Sequence, residues 1–158
     1  MCGIIGIQNN SEAAMLAYMG LYAQQHRGQE GAGIVSSDGV HLNRHMGQGL
    51  VSDVFSDPNV FDGLTGNSAI GHVRYSTTGD SDKKNVGPLT FNMGDYYLSI
   101  AHNGNLVNIE DLRVDLQKEG ALFQTSTDTE IIIHLIAREK GNNLAEKVER
   151  ALQKIEGA

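Results

Sequence analysis

A single cysteine, no tryptophan and two prolines stand among 158 residues. With only Cys2, the chain cannot form an internal disulfide, a cysteine-rich zinc site or a self-ligated iron–sulfur cluster. No run of 18 apolar residues occurs, and the N-terminus lacks the basic segment and apolar stretch of a signal peptide, so the sequence reads as cytoplasmic. Positive charge is scarce: 12 Lys+Arg oppose 19 Asp+Glu, a formal net charge of −7. That balance excludes a general nucleic-acid binder, and the pairs Lys83-Lys84 and Arg138/Lys140 are too sparse for a polybasic membrane patch. Internal repeats, low-complexity tracts and proline-rich linkers are also missing. What remains is 40% hydrophobic and 20% charged, the composition of one soluble globular domain.

The apolar run Gly3–Ile7 reads as a buried strand approached closely by another backbone. Ser11 reads as the cap of a helix that places Met15, Leu16, Met19 and Tyr22 at helical spacing and ends at Gly28 after His26-Arg27. Met15 and Met19 read as core fillers. Ala32–Val35 and Val40–Leu42 flank Ser37-Asp38-Gly39, a hairpin signal. Leu50–Phe55 fits one helical turn, Ser68–Ser76 a strand, Thr77–Lys84 a polar loop, and Tyr96–His102 another strand that stops at Asn103-Gly104. The last third changes period. Asn108 caps a helix carrying Leu112 and Leu116 and stopped by Gly120. Thr127 and Glu130 fit a capping box for an Ile-rich, deeply buried helix to about Lys140, and Asn143 starts a helix with Leu144, Val148, Leu152 and Ile155 on one side. Strands first and helices later give an α+β layered fold rather than a βαβ repeat.

Cys2 carries the sharpest chemical reading. Initiator methionine is normally removed before a small residue, which would leave thiol and α-amine on one Cα. Their ordinary pKa values, about 8.5 and about 7.7–8.0, let the amine accept the thiol proton near neutrality. The plainer reading is a small hydrophobe near a chain end. A thiol attacking an amide needs oxyanion donors. Asn103 and Gly104 offer a carboxamide and an unobstructed backbone N–H at a strand end, although the same pair also makes an ordinary turn. Arg74 interrupts an apolar strand; it either faces solvent or clamps a carboxylate. Asp128 either complements a helix N-terminus or anchors an ammonium group. Together Arg74 and Asp128 would bracket an α-amino acid head group. Gly28–Gly33 has its glycines in the wrong order for a dinucleotide loop. His41 and His45 read as surface residues, His72 and His102 as hydrogen-bonded structural histidines, and no metal is expected.

Five stretches, taken in order, resemble class-II glutamine amidotransferases: Cys2–Ile7, Gln25–Ile34, Gly71–Gly79, Ala101–Leu106 and Thr125–Glu130. The similarity is greatest to the glutaminase domain of members that deliver ammonia to phosphoribosyl pyrophosphate, making 5-phosphoribosylamine in the first step of purine synthesis. The resemblance implies an N-terminal-nucleophile hydrolase fold, a four-layer αββα sandwich of antiparallel sheets between helices. It implies a glutaminase domain over residues 2–158 that stops before the family's last strands and lacks the phosphoribosyltransferase domain. Cys2 would form a γ-glutamyl thioester, and Asn103 and Gly104 the oxyanion hole. Arg74, Thr77, Thr78 and Asp128 would hold L-glutamine with support from Arg27, and Tyr75 would communicate with the acceptor half. No cofactor is implied for this chain; Mg²⁺ and phosphoribosyl pyrophosphate would enter only through the absent domain, and full-length relatives would form homo-oligomers. Gly87 departs from the family's usual Gln in the Asn-x-Pro-Leu stretch. Two other readings are a glucosamine-6-phosphate synthase-like glutaminase, disfavoured by Arg74–Gly79, and an inactive fragment acting as a binding module.

Overall fold

The computed structural model describes residues 1–75 and 83–157, which fall into two compact units, Met1–Asn103 and Gly104–Ala158. In the first unit, β1 (Gly3–Ile7), β4 (Ser68–Arg74), β2 (Gly31–Ser37) and β3 (Leu42–Gln48) form an antiparallel sheet in the order β1-β4-β2-β3. Helix α1 (Ala13–Ala23) packs on β1, β4 and β2. The register pairs Gly3 with Val73, Ile5 with Gly71, and Ala32 with Val73. Strand alternation therefore gives one sheet face Ala32, Ile34, Ala69 and Val73, all buried against Ala13, Ala17 and Leu21 of α1.

Met15, Met19 and Tyr22 lie on the exposed side of α1, so the two methionines are not core fillers. The helix buries Ala13, Ala14, Ala17 and Leu21 instead. Small side chains let it lie close to the sheet, and a side chain at Gly20 would collide with Ile5 Cδ1. Ser11 is not its cap either: Glu12 holds that place, and Asn10 Oδ1 accepts the Glu12 N–H at 2.8 Å. A 3₁₀ turn over Gln25–Arg27 separates the helix from Gly28.

The β2–β3 hairpin forms as expected, but its second strand begins at Leu42. The Asp38 carboxylate accepts the N–H groups of Val40 (2.8 Å) and His41 (2.6 Å), which keeps those residues in the turn. Helix α2 (Val51–Val54) matches the single turn expected near Leu50, whereas α3 (Val60–Gly63) and β5 (Leu89–Asn92) had no sequence signal of their own. Strand β5 pairs with β6 (Tyr97–Ile100) as a two-stranded antiparallel sheet. His45 is not a free surface residue: its Nε2 lies 2.8 Å from the Val54 carbonyl and its ring packs on Phe55.

The second unit consists of α4 (Ile109–Lys118), α5 (Asp128–Arg138) and α6 (Leu144–Leu152), with α5 packed on both neighbours. Ile131, Ile132, Ile133, Leu135 and Ile136 are buried, as the all-round apolar pattern of α5 predicts. Helix α6 departs from its pattern, since Leu144 and Leu152 are exposed and Ala151 is the buried residue. Asn108 precedes α4 but serves the chain's far end: its Nδ2 donates to the Lys154 carbonyl and its Oδ1 accepts from the Glu156 N–H, both at 3.0 Å.

Candidate active site

Residue Cys2 immediately precedes β1, and Tyr75 immediately follows β4. Because these strands are paired, the two residues meet at one end of the sheet. The Tyr75 N–H donates to Cys2 Sγ at 3.5 Å, and the thiol in turn reaches the Tyr75 carbonyl at 3.7 Å. Arg27 comes from the 3₁₀ turn after α1, and its Nε donates to the Cys2 carbonyl at 3.0 Å. Gln24, the residue before that turn, holds β1 a second time, its Nε2 donating to the Ile4 carbonyl at 3.3 Å. Gln25 adds a further tie, its Oε1 accepting the Val51 N–H at 2.7 Å. Nothing in the sequence marks Gln24 for this role, because a glutamine near a helix end carries no chemical signature.

Gly28 lies against the main chain of Arg74. A Cβ there would fall 2.6 Å from both the Arg74 carbonyl carbon and its oxygen, and the Glu30 N–H donates to that oxygen at 3.2 Å. The Arg74 side chain does not point freely to solvent, being 15% exposed with its Nε 3.8 Å from Glu30 Oε2. Its Nη1 donates to the Asn85 carbonyl at 3.0 Å. Asn85 ends the 3₁₀ turn Lys83–Asn85 and leads into a strap, Val86-Gly87-Pro88, that crosses the sheet face opposite α1. Glycines in β2 seat this strap. A side chain at Gly31 would meet Val86 Cγ2 at 2.7 Å, and one at Gly33 would collide with the Gly87 carbonyl.

His72 lies on that same face, beneath Gly87. It is buried; among the described residues its ring nitrogens make no close side-chain hydrogen bond, and the Gly87 main chain lies against the ring. Burial pulls its pKa from the ordinary 6.5 down to about 4, reinforced by the Arg74 and His102 charges; the Gly87 backbone opposes the shift. The imidazole is neutral at physiological pH.

Asn103 lies at the end of the first unit and Gly104 at the start of the second, both beyond β6. Asp128 opens α5, and its Oδ2 accepts the Leu106 N–H at 3.2 Å. The expected capping box at this helix does not form: Thr127 makes no side-chain cap bond. Glu130 is fully buried and reaches further back, accepting from the Gln124 N–H (2.8 Å), the Thr125 N–H (2.7 Å) and the Thr125 hydroxyl (2.7 Å). Its spacing from Thr127 also fits a cap, so the sequence alone does not disclose this role. Thr77 and Thr78 lie outside the described residues. Among the described residues, no group of three or more His, Cys, Asp and Glu is arranged to hold a metal ion, and no helix is long and apolar enough to cross a membrane.

Comparisons with known proteins converge on one family. A model of the glutamine amidotransferase domain matches residues 60–151. An amidophosphoribosyltransferase of Staphylococcus aureus (strain MRSA252) is 48% identical over 99% of this chain, which covers 32% of that relative. One from Lacticaseibacillus casei is 44% identical over 99% of this chain, covering 80% of that relative. Among solved structures, one described as the allosteric regulatory enzyme of purine biosynthesis superposes with a TM-score of 0.94 at 44% identity, matching all of this chain and 34% of its own. Glutamine phosphoribosylpyrophosphate amidotransferase from B. subtilis, complexed with ADP and GMP, gives 0.90 at 43% identity, over 99% of this chain and 33% of its own. The chain thus spans about a third of most of these relatives, and its fold is that of their N-terminal part, the α+β N-terminal-nucleophile architecture of antiparallel sheets and helices. With a thiol at the head of its first strand and this degree of likeness, the chain belongs to the amidophosphoribosyltransferase family of glutamine amidotransferases.

Proposed function

We propose that this chain is the glutaminase portion of an amidophosphoribosyltransferase, releasing ammonia from L-glutamine through a thioester on Cys2. The observation that carries the proposal is the seating of Cys2 Sγ between the N–H and the carbonyl of Tyr75, with Arg27 fixing the cysteine's own carbonyl. Removal of Met1 turns the Cys2 nitrogen into a free amine next to that sulfur. The amine takes the thiol proton, and the sulfur attacks the side-chain carboxamide carbon of glutamine. Asn103 Nδ2 and the Gly104 N–H stabilise the oxyanion. The C–N bond then breaks, and the leaving nitrogen takes the proton from the α-ammonium and departs as ammonia. Water attacks the thioester and gives its proton to the α-amine. Cleavage of the C–S bond yields glutamate, and the proton returns to the sulfur.

Arg74 recognises the substrate carboxylate and Asp128 its ammonium group; Thr77 and Thr78 assist and Arg27 supports the site. In the whole enzyme the ammonia displaces pyrophosphate from phosphoribosyl pyrophosphate, giving 5-phosphoribosylamine for purine synthesis. Tyr75 links that step to glutamine binding, and Mg²⁺ belongs to the phosphoribosyl half. The protein works in the cytoplasm, as a homo-oligomer when full length.

A glutamine analogue carrying a diazoketone in place of the carboxamide tests this reading. Mass spectrometry of the Met1-free chain should find one adduct, on Cys2, that L-glutamine prevents. A Cys2→Ala chain that hydrolyses glutamine as fast as its parent overturns the mechanism.

A further inference from the structure

The residues that follow Gly104 are clamped from two sides within the second unit. On one side, Leu106 bridges to Gly157, and the Val107 N–H donates to the Glu156 carbonyl at 2.8 Å. Gly157 adopts a φ of +109°, and a Cβ on it would fall 2.5 Å from the Asn105 carbonyl oxygen, so this contact is made by main chain alone. On the other side stands a carboxylate, Asp128 Oδ2, which accepts the Leu106 N–H at 3.2 Å. Leu106 is 2% exposed, so its N–H depends on the protein for a partner. The start of α5 is itself held firmly, because the buried Glu130 ties Gln124 and Thr125 to the helix with its three hydrogen bonds.

We infer that Asp128 is a positioning residue for the Gly104–Leu106 segment, in addition to the substrate-binding role proposed above. Its carboxylate fixes the Leu106 peptide two residues beyond Gly104. It thereby sets the direction in which the Gly104 N–H is presented to the oxyanion. The inference rests on the proposed role of Gly104, but it makes a separate demand on Asp128. An acceptor oxygen, not a negative charge, is what the loop requires.

Asp128→Asn and Asp128→Ala separate the two roles. Asparagine keeps a carbonyl oxygen for the Leu106 N–H and loses the charge; alanine loses both. Steady-state glutaminase kinetics and ¹H–¹⁵N spectra of the Met1-free chain are the readouts. Both variants should raise the KM for glutamine, and kcat should fall about tenfold further in D128A than in D128N, part of the ~10²–10³ that a whole oxyanion donor contributes. The Gly104 and Leu106 amide resonances should move in D128A and stay close to the parent's in D128N. Equal kcat in the two variants, with an unmoved Gly104 resonance in D128A, overturns the inference. An unchanged KM in D128N instead overturns the ammonium-binding role, and leaves kcat and the Gly104 resonance to judge the positioning role. If the chain turns over no glutamine, the resonances decide alone. If D128A does not fold, Asp128→Ser takes its place, since a serine is too short to reach Leu106 but suits a helix start.

Discussion

The main chain of Tyr75 faces the sulfur of Cys2 across 73 residues of sequence, with its N–H donating to Sγ at 3.5 Å. Backbone rather than side chain makes the contact, so the thiol's position depends on the pairing of β1 with β4 and on whatever anchors those two strand ends.

One anchor is Arg27, whose Nε bonds the Cys2 carbonyl. Arg27→Ala releases the residue that carries the sulfur. The glutaminase kcat/KM is expected to fall roughly tenfold to a hundredfold, the scale of a misplaced reacting group. Thermal melting should move by only a few degrees, since one partly buried hydrogen bond is lost, worth ~1 kcal/mol. Parallel kinetics and melting curves check both halves.

Gly28→Ala puts a methyl against the Arg74 peptide, where the obstruction is main chain and cannot rotate away. A loss of about 1–3 kcal/mol is expected, as for overpacking elsewhere. The KM for glutamine should rise as the guanidinium shifts. Urea titration and glutamine saturation curves measure the two effects.

His72 gives stability a specific pH dependence. Its pKa is near 4 in the folded chain and 6.5 when unfolded. Below pH 6.5 the unfolded chain therefore binds the extra proton, so the stabilisation is fully present above pH 6.5 and is lost as pH falls toward 4. At about 1.36 kcal/mol per pKa unit, the loss approaches roughly 3 kcal/mol. Unfolding free energies measured from pH 7 to pH 4 should fall less steeply in His72→Asn than in the parent. Identical slopes would refute the assignment.

Glu130→Ala removes the acceptor shared by the Gln124 and Thr125 N–H groups and the Thr125 hydroxyl at a part-buried site. Destabilisation of about 3 kcal/mol is expected, with Glu130→Gln intermediate because its amide retains one acceptor oxygen. Denaturant midpoints of the two variants rank the effect.

The elements that sequence disclosed were those with strong local marks. Asp38-Gly39 announced the β2–β3 hairpin, the Ile-rich run announced a buried α5, and the second residue announced the thiol. Local marks failed where tertiary contacts chose otherwise. In α1, hydrophobicity favoured Met15 and Met19 for the interior, but close approach to Ile5 selected the alanine face. Glu130 satisfied the spacing of a capping box, and only its burial shows that it serves residues 124 and 125. Nothing in the local pattern around His72 indicated that Gly87 would cover it, because the strap is brought there by glycines in another strand.

Strand order has a consequence for the timing of chemistry. Among the described residues the first strand bonds to the fourth, so a nascent polypeptide must emerge past residue 75 before its leading thiol meets the peptide that orients it. Closing so large a loop is entropically costly and comes late in folding. The thiol is thus oriented only once the two strands have met, and a half-made chain carries an unaimed sulfur.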